Sequence, residues 1–267
     1  MIRVELRKQA LRMRTYIGMA MVVVLPVIIT IALKFRPARG GGDNGEGIIR
    51  LATSSGINMP LAALTFMSGF FLVVVVSLFA GETVAGEANW GTLRYLLVRP
   101  VGRYKLLMTK LVVAVLLSLL ATALISVVAL IAGTAFFGWH PVLTTSLTTL
   151  SQGTALVRLL VATLYVALGM ASFIAFAFML STMTDSAFGA VAGGVALGVI
   201  SQILDGVFTS GWFRYGFPTH YLDAWHGLFA SPTMTANMVR GALVQVPYAV
   251  VFVGIGLWWF RRKDVLS

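Results

Sequence analysis

Groups able to do chemistry are few in this chain, and their positions limit what that chemistry could be. His140, His220 and His226 are the only histidines, and there is no cysteine, which excludes disulfides, thiol catalysis and cysteine-ligated metal. His220, Asp223 and His226 fall close together, but a metal would need further ligands, and plain placement at a membrane interface is the simpler reading. No serine is tied to a histidine by a recognisable nucleophile motif. Arg158 and Asp205 border long apolar runs. A pair between them, snorkelling of Arg158 to the interface, or a place on a substrate path are all open, with snorkelling the simplest. No GxxxxGKS/T phosphate loop occurs, and no polar stretch is long enough for a nucleotide-binding domain. The residues therefore point to no catalytic centre, no metal site and no cofactor held by this chain.

The one long polar interruption, residues 82 to 110, offers recognition instead. Projected at 100° per residue, Trp90, Leu93, Leu96 and Leu97 share an arc, while Glu87, Gly91 and Arg94 fall opposite. Glu82 and Glu87 come first and Arg94 and Arg99 last, the order a helix dipole favours. Pro100 and Gly102 then stop the helix, and Arg103, Lys105 and Lys110 lead onward. An interfacial helix anchoring a loop to lipid and a helix docking on a partner fit this pattern equally.

The elements that must position this segment are membrane spans. Hydrophobic residues make up 58% of the chain and charged ones 11%, with a mean hydropathy of +0.91, far from soluble composition. Uncharged gaps of 19, 31, 47, 26, 19 and 20 residues separate Arg14 from Lys34, Arg50 from Glu82, Lys110 from Arg158, Arg158 from Asp185, Asp185 from Asp205 and Arg240 from Arg261. A hydrocarbon core about 30 Å thick needs roughly 20 helical residues. Residues 133 to 154 read as a loop, from their Gly, Pro and Ser/Thr content. The expectation is an all-α membrane protein with a single transmembrane domain over 1–267. Its six helices fall near 15–34, 59–80, 106–132, 156–180, 187–207 and 239–260. Continuous apolarity argues against a β-barrel.

Lys and Arg set the orientation. The tail 1–14, the segment 81–110 and the C-terminus carry 13, and the opposite side carries 7, placing both termini and the polar segment in the cytoplasm. The net charge of +11 is explained by topology and anionic lipid rather than nucleic acid. The first apolar run is too long for a signal-peptide core and lacks a small-residue cleavage site, so a cleaved leader is not expected. In the tail, Ile2, Leu6, Ala10 and Met13 form one helical stripe and Arg3, Arg7 and Arg14 another, which suits an interfacial helix over 1–14; a frayed basic tail is the plainer option.

The external segment 208–238 gathers Trp212, Phe213, Tyr215, Phe217, Tyr221, Trp225 and Phe229. Tyr221, Trp225, Leu228 and Phe229 share a helical face, which suits short helices in the headgroup layer. In the fifth span, Gly189, Ala190, Gly193, Gly194 and Gly198 allow close helix approach, within the chain or between chains.

The residues Glu87, Gly91, Thr92, Leu93, Leu96, Leu97, Arg99, Pro100, Val101, Gly102, Arg103 and Lys110 resemble the signature of type-2 ATP-binding-cassette transporter permeases, and they sit where that family carries it, between the second and third of six spans. A basic N-terminal helix containing Glu5, the turn 181–190 and the aromatic segment before the last span are also similar. The resemblance implies a coupling helix within residues 82–105 that docks on a separate cytoplasmic ATPase, with ATP and Mg bound by that partner. It names Glu87, Trp90, Thr92, Leu93 and Arg94 as contact positions. Arg99, Pro100 and Arg103 would shape the return to the membrane, and Thr184 and Asp185 would make a smaller contact. Gly102 stands where the family often has Ser, removing a cap hydroxyl from the start of the next helix. The family works as two membrane subunits, identical or not, in the cytoplasmic membrane, and mostly exports. A secondary transporter or channel would be expected to show repeats, broken helices and intramembrane charges. None is evident here, Pro26 and Pro247 being kinks at most. A membrane-embedded enzyme or assembly factor is the third option.

Overall fold

The computed structural model describes residues 2–35, 52–89, 102–143, 149–208 and 211–262. Trp90, Thr92, Leu93, Arg94, Arg99 and Pro100 lie outside them.

Among the described residues the chain is an all-α, multi-pass membrane protein. Helix α1 (Ile2–Ala10) breaks at Leu11 and Arg12 and resumes as α2 (Met13–Lys34), which runs through Pro26 without interruption. A short 3₁₀ turn at Gly56–Asn58 leads into α3 (Met59–Ser68), α4 (Phe71–Gly81) and the one-turn α5 (Ala85–Asn89). Next come α6 (Arg103–Phe137), α7 (Gln152–Gly169), α8 (Ala171–Met183), α9 (Ala187–Val207) and α10 (Ala236–Arg262). Five spans are long and apolar enough to cross a bilayer, α7 and α8 counting as one; the bent pair α3–α4 supplies a sixth.

Charge gaps locate these spans to within a few residues, with three differences. The second span is not one rod, because α3 and α4 meet at 63°. Sequence gives no warning: the run across the break is continuously apolar. The break is stabilised from elsewhere, since the Gln202 side-chain amide of α9 donates to the Gly69 carbonyl that the bend sets free. Second, α6 runs on to Phe137 and ends on Gly138, whose φ of +77° suits glycine. Third, residues 142–150, expected as loop, include a two-residue antiparallel ladder, Val142 opposite Leu150 and Leu143 opposite Thr149.

The core lies between α4, α6 and α8. Leu107, Ala114, Leu117, Ala121, Ile125 and Ala129 form a buried stripe along α6 at three- and four-residue steps. Phe173, Ala177 and Phe178 of α8 are fully enclosed against it. At one end of the bundle the backbone itself is in contact: a Cβ on Gly56 would come within 2.5 Å of Thr134, and one on Gly133 within 2.5 Å of the Gly56 carbonyl. In α9, Gly194 and Gly198 face Ser77, Ala177 and Val73, so these small residues serve packing within the chain. Phe188, Ile200, Ile203 and Val207 leave the other face of α9 exposed.

Candidate functional site

At the end of the bundle that holds α1, the two ends of the polar interruption are brought together. Lys110 projects from the buried α6 stripe, three residues after Leu107 and four before Ala114, where an apolar side chain would be expected. Its side chain is 1% exposed, and its ammonium is fully employed. It lies 2.7 Å from Glu87 Oε1 and 2.9 Å from Glu5 Oε1, and it donates to the Thr83 carbonyl at 3.0 Å. Burying a lysine in this way is tolerable only because each of its three N–H groups has a partner.

Glu87 is equally enclosed, at 1%. Besides Lys110 it takes Lys8 Nζ at 2.5 Å, with the Arg12 guanidinium 3.8 Å away. Arg12 also donates to the Glu82 carbonyl at 3.0 Å, and Arg14 reaches the Glu82 carboxylate at 2.5 Å. Gln9 donates to Glu5 at 3.1 Å. Burial alone would raise the Glu5 pKa, but the Lys110 charge and hydrogen bond, aided by Gln9 and Lys8, hold it below the ordinary carboxylate range. The network therefore fastens α1 to the base of the second and third spans.

A second tie comes from α8. The Ser181 hydroxyl accepts from the backbone N–H of Val84 at 3.0 Å and of Ala85 at 2.9 Å, satisfying donors at the start of α5. Ala85 packs with Ala187 and Ala190 of α9. The elbow at 82–89 and the turn at 181–190, far apart in sequence, are thus one structural unit. Thr184 caps this turn by accepting from the Ser186 N–H at 3.1 Å, and Asp185 beside it is exposed. A cavity of about 470 Å³ opens between α1, the elbow and Ala187, lined by Lys8, Arg12, Arg14, Glu82, Gly86 and Asn89 among others.

Of the residues singled out from sequence, Glu87, Thr184 and Asp185 come to this end, with Glu87 turned inward. Arg103 opens α6 and is exposed, and α6 begins there although its cap residue Gly102 offers no side-chain bond. Lys8, Arg12, Ser181 and the pairing role of Lys110 escaped sequence reasoning. The available signal was the register of Lys110 within an apolar stripe.

The opposite end carries the other candidates and keeps them apart. Arg158 donates to the Leu228 carbonyl at 2.6 Å, whereas Asp205 takes Arg214 at 3.0 Å and His220 at 2.6 Å, so the two do not form a pair with each other. His226 lies 3.2 Å from the Thr65 hydroxyl of α3. Burial pushes His226 down and Asp223 up, each partly opposed by the other's charge, so both lean toward the neutral form. No group of three or more His, Asp or Glu able to hold a metal occurs among the described residues.

The aromatic segment forms 3₁₀ turns at Trp212–Gly216 and Ala224–Phe229. The shared face of Tyr221, Trp225, Leu228 and Phe229 is turned inward and caps the bundle, with Trp225 fully buried. Tyr165 donates to the Tyr221 carbonyl at 2.7 Å and Gln245 to that of Pro218 at 2.9 Å, holding the cap in place.

A family model described as "Protein of unknown function (DUF2705)" matches residues 47–266. The "Uncharacterized protein YhcI" of Bacillus subtilis (strain 168) is 34% identical over 77 residues, a stretch that makes up 29% of this chain and 23% of that protein's length.

Proposed function

This chain belongs to the DUF2705 family, and on that premise we propose that it is the membrane-spanning permease subunit of an ATP-driven transporter, most of all an exporter. Both termini and the charged end face the cytoplasm in this reading. A separate ATPase binds ATP and Mg and docks on the segment 82–105, and a second permease subunit, identical or not, completes the pathway. The chain itself is not an enzyme.

The observation that carries the reading is the Glu87–Lys110 pair. It clamps the two legs of the polar segment together at the mouth of the second and third spans, so a load placed on that segment is delivered to both spans and, through Glu5, to α1. The link from Ser181 to the elbow extends the delivery to α8. Glu87 acts here as an internal anchor, and contact with the ATPase falls to Trp90, Thr92, Leu93 and Arg94, with a smaller contact at Thr184 and Asp185. ATP-driven closure of the two ATPases would move this clamped unit and bias the spans between two arrangements.

The test is co-purification with the candidate ATPases, recognised by a phosphate loop, of the same organism. Replacing Thr92 and Arg94 together by Asp and Glu should reduce recovery of the ATPase at least tenfold, about 1.4 kcal/mol of binding, while leaving the permease folded. Retained association overturns the docking face, and a native chain that recovers no ATPase overturns the reading.

The broken second span is a specific point in favour of a secondary transporter, a class that uses discontinuous helices. Against it, the carbonyl freed at the break is held by a neutral side chain, the Gln202 amide, and not by a charged group. Transport by vesicles containing this chain alone, without any ATPase, would decide for it.

A further inference from the structure

Every basic residue on the inner edge of α1 and its exit has an acidic partner: Lys8 and Arg12 have Glu87, and Arg14 has Glu82. Arg3 and Arg7, one turn apart on the outer face, are exposed, and their side chains make no ion pair or hydrogen bond among the described residues. They share that face with Val4, 73% exposed, and Leu11, 58% exposed, and the four line one groove with Lys8. Two unpaired guanidinium groups next to two uncovered apolar side chains match a ligand with a phosphate at one end and hydrocarbon at the other.

The position of α1 selects which such ligand. Only Leu11 and Arg12 separate α1 from α2, and the first turn of that span, which also carries Arg14, leaves Met13 77% and Tyr16 53% exposed. Nine helical residues extend about 14 Å, and the headgroup layer adds roughly 5–8 Å outside each face of the hydrocarbon. Leu11 is therefore at the hydrocarbon boundary and Arg7 one turn further along, within reach of lipid phosphates. We propose that Arg3 and Arg7, with Val4 and Leu11, form a binding site for an acidic glycerophospholipid, and that lipid held there sets how firmly α1 is seated on Lys110 and Glu87. The site requires only that the chain spans a membrane and is independent of the transport reading.

Hydrogen exchange of residues 2–10 in the full chain reads the site directly. The chain is placed in nanodiscs of phosphatidylcholine alone or of phosphatidylcholine with phosphatidylglycerol. Phosphatidylglycerol should slow exchange in α1 and leave α6 unchanged. With each basic group near an anionic surface contributing about 1 kcal/mol, the Arg3→Gln/Arg7→Gln variant should lose on the order of thirtyfold in protection. Arg3→Lys/Arg7→Lys should keep most of it, and Arg240→Gln, another exposed arginine outside the site, should behave as the native chain. Equal protection of the Gln variant, or none in the native chain, overturns the proposal. Protection by glycerol phosphate in pure phosphatidylcholine discs would assign the face to a free phosphate ligand, and protection only on adding the ATPase would assign it to a protein; either result also overturns it.

Discussion

The two ends of the bundle are held by different physics. At the charged end, three elements distant in sequence, α1, α5 and α6, meet on buried ions, with Lys110 and Glu87 both 1% exposed. At the aromatic end, the cap is fixed by apolar burial of Trp225 and by neutral hydrogen bonds from Tyr165 and Gln245 to backbone carbonyls. Its ion pairs are shorter in range, and none joins two fully enclosed partners as Lys110 and Glu87 are, Arg214 being 38% and Asp205 20% exposed. Apolar packing tolerates adjustment, whereas a buried charge must find its counter-charge or lose several kcal/mol. The charged end is thus all-or-none in its seating, and the aromatic end can yield by degrees.

Lys110→Met should break this contrast most sharply. It strands Glu5 and Glu87 without their shared cation and should cost about 3–5 kcal/mol in denaturant unfolding. Adding Glu87→Gln and Glu5→Gln to it should recover much of that loss, because the stranded carboxylates cause it. If Lys110→Met is no worse than a surface change, the contrast fails.

Asp205→Asn at the aromatic end should cost about 1 kcal/mol or less, and less still in high salt, because Arg214 and Asp205 reach solvent. A loss as large as that of Lys110→Met would place both ends in one class.

Acidification gives the smallest and most local effect. The Glu5 pKa is depressed in the folded chain, so its contribution is complete above the unfolded value of about 4.5 and is lost as pH falls through the depressed value. Protection of α1, measured against the intrinsic exchange rate at each pH, should fall on that descent before that of α6 responds. Glu5→Gln, lacking this titration, should show lower protection of α1 already at neutral pH and a smaller further loss on acidification.

Much of the architecture was legible in the chain because lipid imposes a single rule, a run of apolar residues long enough to cross. Charge gaps therefore located α2, α6 and α9 closely. The break between α3 and α4 was not legible, since Ser68, Gly69 and Phe70 look like any apolar run and the side chain that stabilises the bend, Gln202, is 133 residues away. The polar segment 82–110 could be recognised as the one long polar interruption, but its internal pairing could not. Lys110 reads from sequence as one more positive charge beside a span, and only the α6 register turns it inward onto Glu87. Glu87 itself looked like a surface residue because a helical wheel knows nothing of the neighbour that covers one side of it.

The bend in the second span bears on mechanics. A straight helix between two aqueous faces works as a piston, passing an axial push unchanged from end to end. With α3 and α4 at 63° and the corner tethered to α9 through Gln202, this span is a crank. On the proposed function, thrust entering along α4 at the elbow would turn about Gly69 and leave as a sideways sweep of α3, against the contact where Gly56 and Gly133 already touch.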